Sequence, residues 1–294
     1  MGGTRNPVVV GLDGSTASWG ALRWAVRHAA LRGLPLRVLH AAGSAGPEAW
    51  AAGRSMIAEA VAEARALRPG LTVTGDVIDG QPVTELCAAS ETAEVVAVAG
   101  RGVGGFPGLR LGSVSAHLAA QARGTVAVVH NPEVWLNLTP AAESDLPVLV
   151  GSDSSPESER AIAVGFEEAA LRGVPLVAIR AWQPPLIAHR GEIRQLHVDR
   201  AASDRSAQYA VREAVAAGRA KYPEVKVDTR VVSAGPAAAI VTASDDAQLV
   251  VVGSRGHSRI TGPRLGTTAD QLLRHVQCPI MIVRSGGDQP PAAE

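Results

Sequence analysis

The chain has 294 residues, 46% of them hydrophobic, and its 28 Lys and Arg balance its 28 Asp and Glu. That length and apolar content suit two globular domains with cores of their own and exclude intrinsic disorder. Zero net charge gives no global attraction to nucleic acid or an anionic membrane, so any positive patch that matters is local.

The first residues, MGGTRNPVVVGLDGS, run straight into an apolar strand with no signal-type segment ahead of it. No apolar run is long enough to span a bilayer. Both features predict a cytoplasmic protein without a membrane partner, and the zero net charge predicts no nucleic-acid partner. Apolar runs at Val8–Leu12, Leu34–His40, Leu71–Ile78, Val95–Ala99 and Thr125–Val129 read as buried strands. Segments with apolar residues at helical spacing, such as ALRWAVRHAALRG, lie between them. His130–Pro147, with its Asn and Pro residues, reads as a linker. A second series follows at Val148–Gly151, Val174–Ala181, Lys226–Val232, Leu249–Val252 and Pro279–Val283. Strand alternating with helix predicts an α/β, doubly wound architecture. Cys87 and Cys278 read as two buried or half-buried thiols rather than a disulfide.

The two series are copies. AALRGLPL at 29–36 returns as AALRGVPL at 169–176, and VVVGLDGS at 8–15 returns as VLVGSDSS at 148–155, each 140 residues on. Further along, Gly102 and Gly112 match Gly256 and Gly266 at a separation of 154, so the second copy carries 14 extra residues, assigned to Gln183–Arg200. The duplication predicts domains at 1–132 and 147–286, a linker at 133–146 and a tail at 287–294. Gly43–Arg54 and Gln183–Arg205 are candidates for lids or partner surfaces.

One stretch carries chemistry. GSRGHSRITGPRLGTT, residues 253–268, holds four glycines, three arginines and no acid. It sits between an apolar strand and the helical pattern TTADQLLRHV, where backbone N–H groups converge on phosphate. Gly253, Gly256 and Gly266 are expected to allow close approach and positive φ. Thr267 would offer a hydroxyl and an N–H, with Arg255, Arg259 and Arg264 supplying positive charge. A competing reading makes Thr267 and Asp270 a capping box, which leaves Gly253 and Gly256 unexplained. The P-loop pattern is absent, because no Lys precedes Thr267. A literal GxGxxG at Gly100, Gly102 and Gly105 is rejected: Phe106-Pro107-Gly108 follows it, and no acid occurs before Glu133.

Asp13 and Asp153 follow the first strand of each copy. If strands one and four are neighbours, each Asp faces the same cleft as its glycine loop. The carboxylate then holds a ribose hydroxyl or a phosphate-bound Mg²⁺, or else caps the next helix, with Ser155 and Pro156 marking its start. An anion at a helix end gains roughly 0.3–2 kcal/mol, whereas micromolar binding needs about 8 kcal/mol. The ligand should therefore also bury a flat apolar group, which favours a nucleotide over free phosphate.

Strand-one VxVGxD together with G-x2-G-x9-G-[ST] after strand four resembles the universal stress protein family, in its ATP-binding branch. The resemblance spans nearly the whole chain twice. It implies two similar doubly wound domains, each a five-stranded parallel sheet of order 3-2-1-4-5, with the last strands pairing between domains about a pseudo-twofold axis. It also implies ATP, with Mg²⁺, as the bound adenine nucleotide. Gly151, Asp153, Ala181, Gly253, Arg255, Gly256, Gly266 and Thr267 are the contacts expected in copy two. Gly11, Asp13, Ala41, Gly102, Gly112 and Ser113 are those expected in copy one, which departs from the pattern with Ala99 in place of the first glycine. The expected role is regulatory, in a stress response, for a homodimer. A slow ATPase or nucleotidyl transferase is one alternative, and a scaffold without nucleotide another. No catalytic residue is predicted, since the motifs hold no lysine and no His–Asp or Cys–His arrangement. His257 in the loop faces Val103 in the copy-one pattern.

Overall fold

The computed structural model describes residues 6–43, 46–102, 111–137, 144–184, 186–189, 192–195, 198–256 and 264–284, with backbone alone at 186–189 and 192–195. The first copy runs β1 (Val8–Gly11), α1 (Thr16–Arg32), β2 (Leu36–Ala41), α2 (Pro47–Leu67) and β3 (Val73–Ile78). It continues with α3 (Pro82–Ala89), β4 (Val95–Ala99), α4 (Ser113–Gln121) and β5 (Val126–Val129). A short α5 (Pro132–Asn137) follows. The second copy runs β6 (Val148–Gly151), α6 (Pro156–Arg172), β7 (Leu176–Trp182), a hairpin of β8 (Leu186–His189) and β9 (Glu192–Gln195), and α7 (Arg200–Lys221). It ends with β10 (Val227–Ser233), α8 (Pro236–Ser244), β11 (Leu249–Gly253), α9 (Thr267–His275) and β12 (Ile280–Val283).

Local sequence explains the element ends. In α1 and α6 the side chains of Ser15 and Ser155 accept from the N–H groups of Ser18 and Ser158, which satisfies donors that the helix itself leaves open. Both helices stop at a glycine in the left-handed region, Gly33 at φ 61° and Gly173 at φ 66°. Leu34 and Val174 then donate back to Ala29 and Ala169. This is the 6→1 closure of a helix end, and it explains why β2 and β7 begin two residues later than the apolar runs predict.

The strands form one ten-stranded sheet in the order β10-β7-β6-β11-β12-β5-β4-β1-β2-β3. Each copy thus has the predicted 3-2-1-4-5 order, parallel throughout. The copies join where β12 meets β5 antiparallel, Met281 opposite Ala127, with all four residues of each strand buried. The apolar last strands anticipate this: each covers the other's edge, which would otherwise be open to pairing with another chain. One face of the sheet packs under α1, α2, α6 and α7, where Trp24, Ile57, Phe166 and Val211 are buried. The other packs under α3, α4, α8 and α9 through Leu86, Leu118, Ile240 and Leu272. Because β5 and β12 run antiparallel, the carboxyl ends of the strands point to opposite edges of the sheet in the two copies.

Three expectations change. The linker carries structure: α5 packs on α1, where Arg23 donates to the Leu136 carbonyl and pairs with Glu63 at 2.6 Å. Gly43–Arg54 is helical from Pro47 onward, because proline is well suited to the first turn of a helix. The extra residues of copy two include the β8–β9 hairpin, antiparallel from Leu186↔Gln195 to His189↔Glu192. The tail at 287–294 lies outside the described residues.

Candidate functional site

In both copies strands one and four are neighbours, β1 with β4 and β6 with β11. A crevice therefore opens beyond their carboxyl ends, where connections leave in opposite directions. Gly151, Asp153 and Ala181 line the crevice of copy two from the strand-one and strand-two side. Gly253, Arg255, Gly256, Gly266 and Thr267 line it from the strand-four loop and the start of α9. In copy one Gly11, Asp13, Ala41, Gly102, Gly112 and Ser113 line the matching crevice, with Ala99 and Arg101. The cavities are about 320 Å³ in copy one and 220 Å³ in copy two. His257, Arg259 and Val103 lie outside the described residues.

The loops are tied at both ends. Gly112 donates to the Gly100 carbonyl at 2.7 Å, and Gly266 to that of Ser254 at 2.9 Å, bringing the end of strand four against the start of the next helix. Gly112 and Gly266 are themselves the N-caps of α4 and α9, and neither helix has a side-chain cap bond. This corrects the capping-box reading. Thr267 is already the first helical residue, and Asp270 is paired with Arg274 at 3.0 Å. The first N–H groups of both helices, beside Ser113 and Thr267, therefore face the crevice without a competing side-chain acceptor from the cap.

The aspartates both orient a cap and face the loop. Asp153 Oδ1 accepts from the Ser155 N–H at 2.9 Å and the Ser155 hydroxyl at 2.6 Å. Asp13 does the same with Ser15, at 3.0 and 2.6 Å. Ser155, not Asp153, is thus the helix cap, and Asp153 holds it in place. The second oxygen, Oδ2, points at the loop. A Cβ placed on Gly256 would lie 2.3 Å from Asp153 Oδ2, and one on Gly102 2.1 Å from Asp13 Oδ2. These glycines are therefore required by close approach to a carboxylate.

Positive φ, the expected reason for the loop glycines, does not apply: Gly253, Gly256 and Gly266 all lie outside the left-handed region, as does Ala99. The Ala99 departure thus carries no backbone penalty. Gly253 is small because its missing Cβ would sit 2.8 Å from Cβ of Glu157. The copy-one counterpart of Glu157 is Ala17. We expect Gly253→Ala to lower stability by about 1–3 kcal/mol through overpacking and Ala99→Gly to cost less than about 1 kcal/mol, both read from thermal unfolding midpoints.

Sequence reasoning did not single out the apolar side of the crevices. Leu39, Leu86 and Val98 line it in copy one, and Ile179, Ile240 and Val252 in copy two. The signal was present in the repeat: Leu86 and Ile240 stand four residues after Pro82 and Pro236, which open α3 and α8. Ser115 was also missed. Its hydroxyl donates to the Gly100 carbonyl at 2.9 Å and fastens the copy-one loop, whereas copy two has Ala269 there.

The universal stress protein family model matches the chain twice, at residues 4–130 and 146–284. A universal stress protein of Mycobacterium tuberculosis is 36% identical over 294 residues, covering 94% of this chain and 96% of the relative. One from Mycolicibacterium smegmatis is 34% identical, covering 96% and 98%. The crystal structure of a universal stress protein from Archaeoglobus fulgidus overlays with a TM-score of 0.69 at 20% identity, covering 94% of this chain and 98% of that one. The duplicated motifs, the 3-2-1-4-5 sheets and these matches agree: the chain belongs to the universal stress protein family, as a tandem of two such units.

Proposed function

We propose that each copy binds one adenine nucleotide, ATP with Mg²⁺, and that occupancy serves a regulatory role in a stress response. One observation carries this reading. Both copies set the same carboxylate, glycine loop and uncapped helix start around a crevice with an apolar side. The helix start and Arg101 or Arg255 suit phosphates. The apolar side, Leu39–Leu86–Val98 or Ile179–Ile240–Val252, suits a flat base, which contributes the affinity that phosphate contacts lack. On this reading Asp13 and Asp153 hold a ribose hydroxyl or a phosphate-bound Mg²⁺. Among the described residues no group of three or more His, Cys, Asp or Glu is placed to hold a metal. A Mg²⁺ ion would arrive on the phosphates, with Asp13 or Asp153 as a candidate protein ligand. We take the units as 1–132 and 147–286, place the protein in the cytoplasm, and expect chains to associate as homodimers. Among the described residues no helix is long and apolar enough to cross a membrane.

The first experiment is to denature freshly purified protein and identify and count the nucleotide released, then to titrate any empty protein with Mg-ATP. Two adenine nucleotides per chain are expected. No release together with no uptake overturns the reading and favours a scaffold without nucleotide.

A further inference from the structure

The two crevices share their walls but differ at the rim. His40 and Arg180 are 140 residues apart and stand at matching positions near the ends of β2 and β7. The residues on either side, Leu39 and Ala41 or Ile179 and Ala181, line the crevices. His40 lines the first crevice itself, and its Nδ1 meets the Leu12 carbonyl at 2.8 Å. A carbonyl only accepts, so Nδ1 carries the proton, and Nε2 of the neutral ring is left as an acceptor. Arg180 stands instead at the rim of the second crevice, where its guanidinium donates to the Ser154 hydroxyl at 2.8 Å. An arginine only donates and is always charged.

The neighbours of this arginine have diverged in the same direction. Ser154 replaces Gly14 in the turn after the first strand and holds φ at 66°, where Gly14 has 83°. A side chain in the left-handed region carries a conformational cost that glycine avoids, and here the hydroxyl it brings is the one Arg180 grips. Ser233, at the end of β10, replaces Asp79 of the first copy. It lies opposite Trp182, two residues beyond Arg180, and accepts from Arg200 at 3.3 Å. Two acids lie nearby, and both are engaged: Asp204 accepts from the Trp182 indole at 2.7 Å, and Asp199 from the Ala202 N–H at 3.1 Å. Among the described residues Arg180 therefore has a serine hydroxyl as its partner and no carboxylate.

We propose that the second crevice takes a nucleotide whose ribose carries a phosphate of its own, read by Arg180, while the first takes an unmodified ribose. This rests on the nucleotide reading above, in the form that sets Asp153 beside the ribose. Ser154 follows Asp153 in the chain, so a phosphate on one ribose hydroxyl lies next to the turn on which Arg180 is held. Asp153 keeps the hydroxyl left free, and the guanidinium offsets its charge. Arg180 exchanges one neutral hydroxyl bond for charge-assisted bonds to phosphate oxygens, which are the stronger kind. The first crevice offers no cation at these positions. A second phosphate there meets the Asp13 carboxylate with no arginine between, and Asp79 at the edge of the sheet, while His40 Nε2 suits a hydroxyl that can donate. Arg101 and Arg255 match each other in the two copies and so do not distinguish them.

The test is calorimetric titration of the full-length chain at physiological ionic strength. The probes are adenosine 5′-phosphate and the adenosine bisphosphates that carry a second phosphate on the 2′ or 3′ hydroxyl. One site per chain should bind a bisphosphate at least about tenfold more tightly than the monophosphate, the size of a charge-assisted hydrogen bond. The other site should show no gain. Arg180→His, which installs the first copy's residue, and Arg180→Gln should each abolish the gain. Both should change monophosphate affinity by less than about threefold, as a substitution at the rim does. A merely structural role for Arg180 would weaken both ligands alike, and that result overturns the proposal. So does a gain that survives both variants, an equal gain at both crevices, or no gain at either, and each of these leaves the nucleotide reading standing. If neither these probes nor Mg-ATP bind, the nucleotide reading falls and this proposal falls with it.

Discussion

Gly256→Val is expected to empty the crevice of the second copy and leave the first occupied. The wild-type glycine lets Asp153 Oδ2 come so close that even one added carbon would stand 2.3 Å from it. Asp153 cannot simply turn away. Its other oxygen fixes Ser155 at 2.6 Å, and Ser155 caps α6. The loop must therefore move outward, away from the α9 N-terminus and the proposed phosphate position. A displacement of that size removes the contacts of several N–H groups together, so affinity at this crevice should fall at least about 100-fold, near 2.7 kcal/mol. Calorimetric titration with Mg-ATP should then report one site per chain. Gly102→Val, with its 2.1 Å approach to Asp13, should remove the other. The double variant should bind none while keeping its far-ultraviolet circular dichroism, since both glycines lie beyond the strands. Two sites of unchanged affinity in Gly256→Val would sink the assignment of this loop.

Acid should weaken the fold in two steps that belong to His28, stacked on Trp24 in α1, and Glu168 of α6, buried 3.5 Å apart where the two copies meet. Burial lowers the His28 pKa from 6.5 to about 4, against the opposing pull of Glu168. Burial alone would raise Glu168, but charged neighbours outweigh it and hold the carboxyl at about 2. Since His28 is neutral at pH 7, the neighbours that do this there are Arg172 and Arg32. The sign is the same for both groups. The unfolded chain binds a proton more readily than the folded one, so stability rises with pH across each window. His28 contributes full stability above pH 6.5 and loses it as pH falls to 4, on the order of 3 kcal/mol. Glu168 follows between pH 4.5 and 2. Urea midpoints measured from pH 7 to 4 should fall steeply for wild type. They should fall less for His28→Phe, which keeps a ring on Trp24 and removes the proton site. Parallel slopes would show that His28 does not carry the first step.

Much of this was legible because the chain says it twice. The α/β architecture needed only the alternation of apolar runs and helical segments, the strand order came with the resemblance to the family, and the 140- and 154-residue spacings pointed to the insertion. The glycines, aspartates and hydroxyl residues expected from the motifs line the crevices, and so does Arg255, whereas Arg264 is not among the lining residues of the second crevice and Arg259 lies outside the described residues. What the sequence concealed was the reason for them. Gly253 and Gly256 look like residues chosen for backbone freedom, yet they are small because Glu157 and Asp153 crowd them, and crowding is a property of the packed fold. Thr267 and Asp270 have the spacing of a cap, but the helix starts one residue earlier and Asp270 is engaged by Arg274. The α5 helix opens on Pro132 in a stretch whose composition reads as linker, and it packs against α1. The relation of His28 to Glu168 is visible in the repeat only as a mismatch at matching positions. Their contact needs the two helices face to face.

The antiparallel seam between β5 and β12 also sets what kind of molecule can engage both halves of one chain. Parallel strands on either side of that seam run in opposite senses, so one crevice opens at one rim of the sheet and the other at the far rim. Even four-residue strands separate the rims by roughly 13 Å of backbone, with the sheet itself in the way. If the crevices take nucleotides as proposed, a bivalent ligand made of two nucleotides on a short tether would enter one crevice of a given chain and present its second head outward. It would act as a crosslinker between chains, not as a clamp on one.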